Sequence, residues 1–121
     1  MSLKTDDDLK PSDLEEALSR LHEVSADKIL SLENDYDKSK GSPVFTVDGK
    51  YVTRGWTEWT QGFQFGCAIL GFEAIGDDAL LAIGRKGTLE RMASHVTHVG
   101  VHDHGFNNVS TYGNLRRLML E

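Results

Sequence analysis

Residues 57–77 read TEWTQGFQFGCAILGFEAIGD, and this stretch decides the fold. From Thr57 to Ile75 only Glu58, Gln61, Gln64 and Glu73 are strongly polar. A helix apolar on nearly all sides is one that neighbours cover on most sides. Gly62 and Gly66 stand four residues apart, so they share a face where another backbone can come close. Glycine inside a helix costs up to about 1 kcal/mol relative to alanine, so a closely packed partner is expected there to offset it. Gly76 then reads as the left-handed residue ending the helix and Asp77 as the N-cap of the next. Cys67, inside the apolar run, is expected to be buried filler rather than a nucleophile.

Working outward, a helix is predicted from about Asp78 to about Met92. Leu80, Ile83, Leu89 and Met92 would form its buried side, and Gly84 and Gly87 would weaken it. Arg85, Lys86, Glu90 and Arg91 read as solvated. Upstream, Phe45-Thr46-Val47 and Tyr51-Val52-Thr53 flank Asp48-Gly49, the signature of a hairpin with a type I′ turn. A two-stranded ribbon is marginal alone, so it is read as a decoration on a helical body, with a flap at a site mouth as the functional alternative. Further upstream, Ser12 to Glu15 has capping-box spacing after Pro11. Leu14, Leu18, Leu21, Val24, Ile29 and Leu32 recur at helical spacing, predicting a helix from about Ser12 to about Leu32. Glu16, Arg20, Glu23 and Asp27 would lie on its solvated side. Residues 1–11 are expected to be a flexible N-terminus.

The remaining stretch, His95 to Gly113 (HVTHVGVHDHGFNNVSTYG), holds four of the five histidines and Asp103. Its glycines and β-branched residues predict a loop that feeds a last helix from near Ser110, with Leu115, Leu118 and Met119 on one stripe. Two antiparallel helix pairs with polar loops at one end suit the opening segment of a helical toroid.

Composition narrows the function. The chain has 121 residues, 39% hydrophobic and 26% charged, with a formal net charge of −6. One domain is expected. The acidic balance argues against a nucleic-acid partner, whose phosphates call for clustered Lys and Arg. No run approaches the roughly 20 apolar residues of a membrane span. A single cysteine precludes an intrachain disulfide. No charged-then-apolar leader is visible, so a cytoplasmic location is expected. If Met1-Ser2-Leu3 is a cloning remnant, the protein would be periplasmic or secreted, with its leader removed.

His95, His98, His102 and His104 follow at spacings of three, four and two. Such imidazoles can ligate zinc with Asp103 as a fourth ligand, but neither HExxH nor a cysteine pair supports a metal, and none is expected. His102-Asp103-His104 places a carboxylate between two imidazoles, a set able to move a proton. Taken alone, an Asp just before the X-Gly of such a loop reads as a turn or cap residue. Trp56 and Trp59 read equally as core or as pocket wall.

Two motifs together resemble a known family. Trp59-Thr60-Gln61-Gly62-Phe63, followed by Gly66 and the run to Gly76-Asp77, resembles the W-T-x-G-F helix of unsaturated glucuronyl hydrolases. His102-Asp103-His104-Gly105-Phe106, followed by Ser110-Thr111-Tyr112-Gly113-Asn114, resembles their H-D-x-G-F and S-Y-G segments. These are glycoside hydrolases of family 88, related to family 105. The resemblance implies an all-α fold, a segment of an (α/α)6 six-hairpin toroid with a small β-hairpin insertion, over residues 12–121. It implies removal of an unsaturated uronic acid from oligosaccharides released by polysaccharide lyases, by hydration of the C4=C5 enol ether and without cofactor. Asp103 would be one of two essential acids. Trp59 would pack on the sugar, with His102, His104 and Trp56 at the binding site. Ser110-Thr111-Tyr112 departs from the tighter S-Y. The second aspartate and the uronate-binding groups lie further along the family chain than residue 121. The segment alone is therefore expected to be inactive and to self-associate through uncovered helix faces. The alternatives are a non-catalytic helical carbohydrate-binding or interaction domain, and a sugar epimerase using the histidines as its acid–base pair.

Overall fold

The computed structural model describes residues 8–120. The fold is all-α with a small antiparallel hairpin. Its elements are α1 (Glu15–Asp35), β1 (Pro43–Val47), β2 (Lys50–Thr53), α2 (Thr60–Ile75), α3 (Asp78–Arg91), α4 (Ala93–Thr97), α5 (His104–Asn108) and α6 (Asn114–Met119). Short 3₁₀ turns cover Pro11–Leu14 and Lys38–Lys40, and a π-helical turn, Val109–Gly113, joins α5 to α6. Most of the N-terminal segment expected to be flexible, residues 1–7, lies outside the described residues, as does Glu121.

The helix start differs from the Ser12–Glu15 capping box. Pro11 opens the 3₁₀ turn, and the Asp13 carboxylate accepts from the Lys10 backbone N–H at 2.9 Å. The expected apolar stripe of α1 is a larger correction. Leu14, Leu18, Leu21 and Val24 are all exposed, and Ala26 is the one buried residue of the helix. Only the later turns of α1, with half-buried Ile29 and Leu32, approach the body.

The hairpin forms as read. Asp48 (φ 50°) and Gly49 (φ 73°) both take positive φ, as a type I′ turn requires. Val47 pairs with Lys50, Thr46 with Tyr51 and Phe45 with Val52, and a bulge follows before Pro43 pairs with Thr53. Tyr51 meets Tyr36 edge-on, with ring centroids 6.3 Å apart.

The core centres on α2, whose Phe65, Ala68 and Ile69 are buried with Leu80, Met92 and Leu115. Helix α2 starts at Thr60, after both tryptophans, and ends on Gly76 (φ 74°), whose N–H bonds the Phe72 carbonyl. Asp77 accepts from the Ala79 N–H at 2.9 Å and so caps α3. Gly84 and Gly87 let α3 approach α2. A methyl at Gly84 would fall 3.0 Å from the Phe65 carbonyl oxygen, and one at Gly87 would enter the Phe65 ring. Leu89, expected inside, is exposed. Cys67 also faces outward rather than being buried filler; its apolar surroundings push the thiol pKa up.

The C-terminal stretch carries the main departure from expectation. Helix begins at His104, not Ser110, and Gly105 and Gly113 lie inside the helical run. The Thr111 hydroxyl donates to the Asn107 carbonyl at 2.6 Å, and the Asn114 amide to the Ser110 carbonyl at 2.9 Å. Side chains that bond carbonyls one turn back loosen the regular ladder, and the π turn falls there. Gly62 and Gly66 supply the groove for this run: a methyl at Gly66 would lie 2.7 Å from the Ser110 carbonyl oxygen, and one at Gly62 would strike the Asn107 backbone. Among the described residues no helix is long and apolar enough to cross a membrane.

Candidate functional site

The site lies where the 98–103 loop enters α5, beside the start of α2. Asp103 occupies the N-cap position of α5, but its side chain makes no capping bond; the backbone alone closes the first turn, through Asn107 N–H to the Asp103 carbonyl at 3.2 Å. The carboxylate, with its side chain 29% exposed, is therefore not tied up as a cap. Beside it is His102, whose Nε2 lies 3.5 Å away on a side chain that is 91% exposed.

Phe106 follows Asp103 by three residues, which brings both to one face of the helix start. There it meets Trp59 and Phe63. Ring centroids are 5.3 Å apart for Trp59–Phe63, 6.4 Å for Trp59–Phe106 and 6.3 Å for Phe63–Phe106. All three rings are about half exposed, so they form a shelf rather than core. An open aromatic face next to a carboxylate can hold the apolar face of a sugar ring while polar groups address its hydroxyls.

Trp56 does something different. It stacks on His104, centroids 5.9 Å apart and planes 20° apart, and meets His95 and His98 edge-on. Beneath it the three imidazoles form a chain. His95 Nδ1 is 2.8 Å from His104 Nδ1, and His104 Nε2 is 2.7 Å from His98 Nδ1. His95 and His104 are buried, whereas His98 is exposed. Burial, and then the nearby rings of His104 and His98, hold the His95 pKa below its ordinary value.

Two buried amides complete the assembly. Gln61 Oε1 lies 3.4 Å from His95 Nε2. Asn107 accepts from the Gly62 N–H at 2.7 Å, donates to the Glu58 carbonyl at 3.2 Å, and places Nδ2 3.1 Å from His95 Nδ1. Asn108 donates to the His95 carbonyl at 3.0 Å.

The structure thus divides the residues singled out from the sequence into two groups. Trp59 belongs to the aromatic shelf, and Asp103 stands one helical turn from Phe106 with His102 in solvent beside it. Trp56 and His104 belong to the imidazole chain, and both ring nitrogens of His104 are engaged by other histidines, leaving it no open position for a ligand. Gln61 and Asn107 were not singled out as site residues, and His95 only as one of four imidazoles weighed for zinc. The one signal for Asn107 lies in Gly62, a helical glycine that needs a close partner.

No protein-family model and no solved structure matches the chain. It is 33% identical over 81 residues to the unsaturated chondroitin disaccharide hydrolase of Streptococcus pyogenes serotype M1. The match covers 65% of this chain and 20% of that protein, so this chain spans about a fifth of the length of the relative it matches. The match supports a relationship to glycoside hydrolases.

Proposed function

We propose that this chain forms the Asp103-bearing part of a glycoside hydrolase acting on unsaturated uronyl oligosaccharides, built on a segment of an (α/α)6 toroid. The observation that carries the reading is the Asp103 carboxylate, free of capping bonds and one helical turn from an exposed aromatic shelf. The likeness to an unsaturated chondroitin disaccharide hydrolase supports the substrate class.

In this reading Trp59, with Phe63 and Phe106 behind it, packs on the sugar ring. Asp103 and a second acid outside residues 1–121 share the proton work. A proton adds to C4 of the C4=C5 enol ether, water adds at C5, and the resulting hemiketal collapses with release of the remaining sugar. His102 stands in solvent beside Asp103, where it can contact the substrate. Trp56 and His104 act indirectly, by shaping the wall under the 98–103 loop. The epimerase alternative would have to use His98 and His102, whose rings are exposed, because both nitrogens of His104 are engaged by other histidines.

The test is turnover of an unsaturated glucuronyl disaccharide by the protein as its whole gene encodes it, followed by loss of enol-ether absorbance. Trp59→Ala is expected to stay folded and to raise KM. Absence of turnover with intact sugar binding would move the reading to a non-catalytic carbohydrate-binding domain.

A further inference from the structure

We propose that Asn107 is a positioning residue that fixes the direction of every hydrogen bond in the His95–His104–His98 chain, so that the chain carries at most one positive charge while the 98–103 loop stays closed. The tautomers follow from groups whose roles are not in doubt. The Gly62 backbone N–H only donates, so the Asn107 atom 2.7 Å from it is the accepting Oδ1. Asn107 Nδ2 therefore faces the Glu58 carbonyl, which only accepts, and His95 Nδ1. An amide nitrogen only donates, so His95 Nδ1 carries a lone pair and its proton sits on Nε2, toward Gln61 Oε1.

The rest of the chain is then determined. His104 Nδ1, 2.8 Å from His95 Nδ1, then donates to the same lone pair and shares it with the Asn107 amide at 3.1 Å. A neutral His104 accepts at Nε2 and His98 Nδ1 donates to it at 2.7 Å. The remaining open ring nitrogen is Nε2 of His98, on the exposed outer ring.

One proton taken up there breaks nothing. His98 still donates from Nδ1, or passes that proton to His104 Nε2, where the charged ring lies stacked on Trp56. A second proton cannot be accommodated. Placed on the His98–His104 pair, it sets N–H against N–H across 2.7 Å; placed on His95 Nδ1, it faces the Asn107 amide and the His104 N–H. The other groups facing the rings are Trp56 and the Glu58 carbonyl from the 54–59 segment and Gln61 from α2, none of them charged there. His98 opens the 98–103 loop and His104 follows it, so a second proton is coupled to release of the loop that carries Asp103. That last consequence for activity rests on the reading above; the tautomers do not.

The experiment is ring-nitrogen NMR of the chain labelled at histidine, titrated between about pH 8 and pH 5, where imidazoles change charge. At the high end His95 is expected with its proton on Nε2, and His104 and His98 with theirs on Nδ1. On acidification one protonation should be shared by His98 and His104 while His95 stays neutral, and uptake of a second should accelerate amide exchange across residues 98–103. Asn107→Asp keeps the shape but offers an acceptor to His95 Nδ1; it should move the His95 proton to Nδ1 and raise its pKa above the ordinary value. A wild-type His95 protonated at Nδ1, or two chain histidines charged before the loop opens, overturns the proposal, as does a folded Asn107→Asp with unchanged His95 titration. Should Asn107→Asp fail to fold, the wild-type tautomers decide alone. No substrate is involved, so an inactive protein leaves this result standing, and turnover with other tautomers leaves the functional reading standing.

Discussion

Helix α1 and the run from His104 to Met119 invert what their compositions suggest. The first has the regular apolar spacing of a buried helix, yet Leu14, Leu18, Leu21 and Val24 all lie exposed. The second is rich in Gly, Asn, Ser and Thr, yet Asn107 and Thr111 have no solvent exposure. Spacing states only that one face is apolar; whether anything covers it depends on partners. Small and amide-bearing residues can instead form a seam when glycines on the facing helix let the backbones meet and the buried amides find partners, as both ends of the Asn107 amide do.

Substitutions can break this comparison. Gly62→Ala should bear most directly on the seam, because the added methyl strikes the Asn107 backbone rather than a mobile side chain. Overpacking of this kind costs about 1–3 kcal/mol or more, and the Gly62–Asn107 hydrogen bond would be strained as well. Denaturant unfolding measures it; a loss no larger than that of a surface change would dissolve the seam argument. Ile69→Ala removes a fully buried side chain and is expected to cost about 2–5 kcal/mol. Leu18→Ala on α1 should cost about 0.5 kcal/mol or less, as exposed positions do. A large loss there would mean that the α1 stripe is covered in solution.

Acidity acts on the seam through His95. The His95 pKa is lowered in the folded state, so the unfolded chain binds this proton more readily. The stability contribution is complete above the unfolded value, about 6.5. It falls as pH drops below that value toward the lowered folded one. Thermal melts across this window should show the decline, and His95→Gln should flatten it. Smallest of all is Glu73→Gln. Arg117 grips Glu73 with two bonds of 2.6 and 2.7 Å and holds its pKa down, but the pair is open to solvent. Its loss should hardly move the melt, while the Arg117 resonances shift.

How far the sequence could be read follows the range of the forces involved. Asp48-Gly49 and Gly76-Asp77 were legible because each sets its backbone through its own φ preference or side-chain cap. Helix α5 was not: its propensities point to a loop, and helix forms because Gly62 and Gly66, about 40 residues earlier, accept its backbone. The four clustered histidines suggested metal or acid–base chemistry, but spacing alone does not show that three rings face one another or that Trp56 roofs them. Asp103 and Trp59 stood out through the paired motifs. The structure adds that Asp103 is not consumed as a cap and that Trp59 belongs to a shelf, whereas Trp56, three residues away, serves the imidazoles.

The central claim is that Asp103 moves the proton, and the most direct measurement is kcat for Asp103→Asn on an unsaturated glucuronyl disaccharide, using the whole gene product. The amide keeps the shape of the carboxylate and removes its proton affinity, and since no capping bond depends on that side chain the fold should persist. The expected result is an unchanged melt with kcat lower by roughly 10²–10⁴-fold, the usual contribution of general acid–base catalysis. A folded Asp103→Asn protein that turns over at a near-normal rate would contradict the account.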